Sequence, residues 1–273
     1  MKILIATDME GITGVTTWDQ VTPGHAEYAR FRKQMTEDVN AAIRGACNAG
    51  ADEVIVADGH WNGSNILIEE FDARGRLNTG SPSPFSMMQG IDESVDGVFF
   101  IGYHARNGSP YAILDHTWSS RTVANVWLND ILTGEYGLNA AVAGHFGVPV
   151  IMVSGDQTAC AQVTELLGDI EAAVIKQASG RFAAECLAPA VAQEMICMSA
   201  ERAVERLSQG DVPDPFVLDL PITVTVDFFA SDMADRASLV PFTKREGTRV
   251  SLTTQEMASA YKGFRAMVTL ASG

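Results

Sequence analysis

The sequence predicts an α/β protein built on a mainly parallel sheet with helices on both faces, followed by a smaller α+β domain. Three observations lead there. Short, β-branched apolar runs recur along the first half of the chain, and helical patterns separate them. After about residue 165 the texture changes to a long helical pattern, a proline-bearing polar stretch and further strand-like runs. Strand, helix, strand in that order is the signature of parallel pairing through crossovers. The expected division is therefore residues 1–165 as the main α/β domain and 166–273 as the smaller one.

Taken in order, Lys2–Thr7 (KILIAT) has the length and composition of a buried strand. Apolar residues at Tyr28, Phe31, Met35, Val39, Ile43 and Ala46 step by three and four, which is one face of a helix over 27–49. Gly50 suits its C-terminal stop. Val54–Ala57 and Val98–Tyr103 are the next buried strands, and 123–132 is a candidate hairpin turning at Asn129–Asp130. An Ala-rich helix over 136–146 and a strand over 148–153 complete the first half. In the second half, strands are expected over 172–177, 216–228 and 248–252, and helices over 188–207 and 255–270.

Composition narrows the function. The 273 residues are 47% hydrophobic and 19% charged, enough apolar content for a sizeable core. A net charge of −15 repels phosphate backbones and anionic headgroups, so neither nucleic acid nor a membrane is an expected partner. The four cysteines form no CxxC pair, and the apolar N-terminal run meets Asp8 too early for a secretory leader. A cytoplasmic location is the expectation.

The chemistry-bearing residues stand at strand ends. KILIAT runs into Asp8-Met9-Glu10, the 54–57 run into Asp58-Gly59-His60, and VFFIGY into His104. Sites of open parallel sheets form beyond the carboxyl ends of strands, so these residues are expected to converge. If the chain stays extended past Thr7, Asp8 and Glu10 point to one side. Glu135, at the start of the Ala-rich helix, reads either as a first-turn glutamate complementing the helix dipole or as a fifth ligand. Three carboxylates and two imidazoles suit a pair of zinc-like ions. His116 reads as a sixth ligand, a general acid/base or a loop histidine satisfied by Asp115. His25 and His145 read as structural, and Asp156 as a helix cap. No GxGxxG, P-loop, GxSxG or HExxH motif is present.

Together, TDMEGITG, DGH, GYHAR, DHTW and GEYGLNA resemble the D-aminopeptidase family of the DppA type, in order and spacing. The likeness extends through VPVIMVSGD and the later IKQ segment to the closing helix. It implies a two-domain α/β fold with two Zn2+ per subunit on Asp8, Glu10, His60, His104 and Glu135, and with His116 as the catalytic histidine. It also implies hydrolysis of short peptides that begin with a D-amino acid, and self-association into a homodecamer. Another metal-dependent amidohydrolase and a non-catalytic peptide-binding protein are the alternatives.

Overall fold

A computed structural model describes residues 1–273. The elements, numbered along the chain, form two sheets. The larger has seven strands in the order β3-β2-β1-β4-β7-β8-β9. These are β1 (Lys2–Thr7), β2 (Glu53–Asp58), β3 (Gly75–Asn78), β4 (Gly97–Tyr103), β7 (Val150–Asp156), β8 (Glu171–Gly180) and β9 (Ala183–Cys186). All pairs are parallel except β8–β9. The smaller sheet is antiparallel, in the order β11-β12-β10-β5-β6. Its strands are β5 (Val123–Leu128), β6 (Ile131–Thr133), β10 (Ile222–Phe228), β11 (Lys244–Glu246) and β12 (Arg249–Thr254). The helices are α1 (Trp18–Val21), α2 (Tyr28–Asn48), α3 (Glu135–His145), α4 (Gln157–Leu167), α5 (Pro189–Gln209), α6 (Ser231–Ala237) and α7 (Met257–Ala271).

Side chains of β1 alternate between two cores, as a strand buried on both faces requires. Ile3 and Ile5 join Phe31, Met35, Val39 and Ile43 of α2 and Ile196 and Val204 of α5. Leu4 and Ala6 face the opposite side, where α3, the small sheet and Tyr261 and Phe264 of α7 pack. The predicted layering is thus present, with the second sheet lying over one face of the first.

Each sheet draws strands from both sides of residue 165: β8 and β9 extend the large sheet, while β5 and β6 complete the small one. The sheets are therefore not divided at that position. The reason is long-range pairing, such as Val224 with Leu128 and Val226 with Val126, which no local pattern encodes. The strand expected over 216–228 begins only at Ile222, because Pro221 has no N–H to give a ladder. The hairpin forms as expected, with Asn129 at φ 51°, and Asp156 caps α4 by accepting from the N–H groups of Thr158 (2.9 Å) and Ala159 (2.8 Å). No helix is long and apolar enough to cross a membrane.

Candidate metal centre

β1, β2 and β4 run side by side and in parallel, so their carboxyl ends deliver Asp8, His60 and His104 to one edge of the large sheet. The chain does not stay extended past Thr7. It turns, with Ile12 N–H donating to Met9 O (3.2 Å) and Gly11 N–H to Gly102 O (2.8 Å). Gly11 is obligatory here, since a Cβ would lie 2.1 Å from Tyr103 O. Asp8 and Glu10 converge through this turn rather than through strand alternation. His60 is delivered by a loop that Asp58 shapes, accepting from Asn65 N–H (2.5 Å) and Ile66 N–H (2.9 Å). Glu135 is the first residue of α3, and its side chain reaches into the cluster instead of solvent.

Six residues meet there, none more than 7% exposed: Asp8, Glu10, His60, His104, His116 and Glu135. His60 Nδ1 lies 3.2 Å from Asp8 Oδ1 and 3.1 Å from Glu10 Oε2. His104 Nε2 lies 3.4 Å from Asp8 Oδ2 and 3.1 Å from Glu135 Oε1. His116 Nε2 stands further off, 3.7 Å from Glu135 Oε1 and 3.9 Å from Glu10 Oε1. Its ring stacks on that of His104, centroids 4.0 Å apart, and Trp18 packs edge-on at 5.3 Å. Two donor sets, Asp8–Glu10–His104 and His104–His116–Glu135, each have their ligand atoms within 4.8 Å of one another. His104 belongs to both.

Every ring is oriented by a backbone carbonyl on its outer side. His60 Nε2 meets Val21 O (2.7 Å), His104 Nδ1 meets Ala105 O (3.0 Å), and His116 Nδ1 meets Leu114 O (2.8 Å). A neutral imidazole has one proton, and the carbonyl claims it. Each inward nitrogen is then a lone pair aimed at carboxylate oxygens. Such a set of acceptors is repulsive unless positive charge lies among them.

The protonation tendencies express the same demand. Burial opposes charge on His60 and His104, yet the Glu10 and Glu135 carboxylates respectively, with Asp8 accepting a hydrogen bond from each protonated ring, hold both well above the ordinary imidazole range. Asp8 is held well below the carboxylate range: burial works against it, and hydrogen bonds to His104 and His60 prevail. His116 is pushed down, by burial first and by the neighbouring His104 second. Glu10 Oε2 is buried with no aligned hydrogen-bond donor, its 3.1 Å approach to His60 being badly angled. An orphaned carboxylate oxygen beside inward imidazole lone pairs fits a divalent, zinc-type cation.

All five expected ligand candidates and His116 therefore come together, while His145 lies outside the cluster and His25 stands at the pocket mouth, 3.1 Å from Asp19. Asp115 does not serve His116; it pairs with Arg181 (3.0 Å) and accepts from Gly108 N–H (2.7 Å). Sequence reasoning missed three contributors. Lys176, 1% exposed, donates Nζ to the carbonyls of Glu10 (2.7 Å), Ile12 (2.9 Å) and Val15 (2.8 Å), clasping the loop that carries two ligand candidates. The backbone N–H of Trp118 donates to Glu135 Oε1 (2.7 Å). Trp18 braces His116. Lone lysines and tryptophans carry no local signal of such roles. Leu114 and Trp118, flanking His116, both adopt left-handed φ (50° and 63°), a strain often stored at functional loops.

Comparisons with known proteins give the family. The family description D-aminopeptidase (peptidase M55) matches residues 1–266. A D-aminopeptidase of Bacillus subtilis (strain 168) is 36% identical over 274 residues, covering 99% of this chain and 98% of that protein. A solved structure superposes with a TM-score of 0.96 at 34% identity, covering 100% of this chain and 98% of the other. That structure is of the Zn-dependent D-aminopeptidase DppA from Bacillus subtilis, described as a self-compartmentalizing protease.

Proposed function

The chain belongs to the D-aminopeptidase family, and from that premise we propose that it is a zinc aminopeptidase removing an N-terminal D-amino acid from short peptides. Asp8, Glu10, His60, His104 and Glu135 would hold two zinc ions, with His116 as the catalytic histidine. One observation carries this reading: three rings anchored outward on carbonyls turn their free nitrogens onto three buried carboxylates, one with an orphaned oxygen. Bound there, zinc would supply Lewis acidity for a peptide carbonyl and for the activation of water near neutral pH.

The protein's own groups supply the rest. Leu114 O fixes the Nδ1–H tautomer of His116, which leaves Nε2 as a base facing the cluster. Nε2 would take a proton from the water that attacks the carbonyl carbon and return it to the amine as the C–N bond breaks. The His104 ring on one side and Trp18 on another keep the imidazole from swinging away. The pocket is polar, so a substrate's amine and carbonyl find partners at its floor.

We place the protein in the cytoplasm, a reading supported by four unpaired cysteines. It assembles as a homodecamer in the manner the family resemblance implies. Exposed Phe242, Leu239, Val217 and Leu220 are suited to burial between copies.

Chelation followed by zinc return tests the chemistry. Hydrolysis of D-alanyl-D-alanine is expected to vanish in metal-free protein and to recover with two equivalents of zinc, while L-alanyl peptides and N-acetylated peptides are poor substrates. Turnover that survives complete metal removal overturns the reading. Preference for the acetylated peptide would point to an amidohydrolase of another kind.

A further inference from the structure

The pocket whose floor is the carboxylate–imidazole cluster has a volume of about 610 Å³, a size that encloses a small ligand. Part of its wall is of the opposite character. Ser119, Ser120, Arg121, Arg265 and Thr269 line the same cavity. The loop carrying Arg121 leans on the helix carrying Arg265, because the Trp118 ring packs edge-on against Tyr261 (6.0 Å) and Phe264 (5.1 Å) of α7. It is also tied at both ends: Trp118 N–H donates to Glu135 Oε1 (2.7 Å), and Phe229 N–H donates to Thr122 O (3.1 Å). Arg121 therefore springs from a fixed backbone that is hydrogen-bonded directly to a ligand candidate.

Neither guanidinium has a carboxylate within 4.0 Å. Most arginines of this acidic chain are paired, Arg181, Arg202, Arg206, Arg236, Arg245 and Arg249 among them, whereas Arg32, Arg44 and Arg106 share the unpaired state but do not line this cavity. Arg265 donates Nη1 to Ser83 O (2.7 Å) and Pro84 O (2.9 Å), which holds the side chain in place and leaves its other donors free. Arg121 is exposed and its side chain bonds to nothing. Unpaired guanidiniums on a fixed frame, beside hydroxyl donors, make a carboxylate receptor.

We propose that Arg121, assisted by Arg265, forms a subsite for the free C-terminal carboxylate of the substrate, so that the enzyme selects very short, unblocked peptides by their far end. The proposal rests on the aminopeptidase reading above. A short peptide would then be held at both ends: the zinc-loaded floor would take the neutral amine and the scissile carbonyl, and the basic wall would take the carboxylate. A longer or amidated chain would fill the same space without the ion pair.

The test compares D-alanyl-D-alanine with its C-terminal amide on zinc-loaded wild type, Arg121→Gln and Arg121→Glu. A partly exposed ion pair to arginine supports an effect of about tenfold. The wild type is expected to favour the free acid by about that factor in kcat/KM, mostly through KM. The preference falls towards unity in Arg121→Gln, inverts in Arg121→Glu, and weakens in the wild type as salt is raised. An equal preference in wild type and Arg121→Gln overturns the subsite, as does a wild type indifferent to amidation. Zinc-loaded protein that cleaves neither compound overturns the aminopeptidase reading itself, a result distinguishable from loss of end selectivity.

Discussion

The floor and the wall of the pocket differ in how firmly the fold holds them. At the floor, every side chain is buried, each imidazole is anchored on a carbonyl, and the loop bearing Asp8 and Glu10 is gripped from beneath. Lys176 binds three carbonyls of that loop, and Asp38 accepts from Thr13 N–H (2.9 Å) and Thr13 Oγ1 (2.8 Å). On the wall, Arg121 projects from a tethered loop with its own charge unpaired. The lesson is a division of labour. Charge that must be placed to a fraction of an ångström is built into the core, where misplacement costs stability. Charge that only has to find the end of a flexible ligand is left at the surface, where it can change without harm to the fold.

The contrast can be broken most severely at His116. His116→Ala is expected to bind as much zinc as the wild type while turnover falls about 10²–10⁴-fold, the usual cost of losing acid–base help. Metal analysis beside steady-state kinetics checks it. Loss of a zinc ion would move His116 into the ligand set, as its place in the His104–His116–Glu135 donor group permits.

A smaller effect is expected beneath the floor. Lys176→Met leaves the carbonyls of Glu10, Ile12 and Val15 without their donor. Zinc affinity should weaken about 10–100-fold, the range for groups that orient metal ligands. Competition with a chelator of known affinity measures this, and Lys176→Arg should recover part of the loss if a cation there is what matters. Unchanged affinity would mean that the grip on the loop is irrelevant to the metal.

The smallest effect concerns pH. Burial raises the Asp38 carboxyl from its usual value to about 6, in spite of hydrogen bonds from Thr13. The folded state therefore binds this proton more tightly than the unfolded state does. The associated stability is complete below about pH 4 and is lost as pH rises through about 6. Asp38→Asn should flatten that part of the profile, by about 1–3 kcal/mol between the two limits. Thermal unfolding of zinc-loaded wild type and variant across pH 4–7 reads the difference. Parallel profiles would show that Asp38 is not the group responsible.

Much of this was legible in the order of residues. KILIAT, the 54–57 run and VFFIGY each declare a buried strand by composition and each end in an acidic or imidazole side chain. Because parallel strands place their carboxyl ends on one edge, the meeting of Asp8, His60 and His104 follows from local pattern plus one topological rule. The turn at Met9–Ile12 was less accessible, since it depends on Gly11 packing against Gly102 and Tyr103 of a strand ninety positions away in the chain. Edge elements such as β3, β9 and β11 are short and half-exposed, so their periodicity is too weak to announce them.

By itself, the sequence determined the five central strands of the main sheet and the kinds of donor that would stand at its edge, because both are properties of neighbours along the chain. The tertiary structure alone decided the partition of strands between two sheets, the nitrogen that each imidazole turns inward, and the recruitment of Lys176 and Trp118 to hold the segments that carry the ligand candidates. These depend on which backbone carbonyls and amides happen to lie nearby after distant segments have packed, and hydrogen-bond partners across such separations leave no periodic trace for a reader of the chain to find.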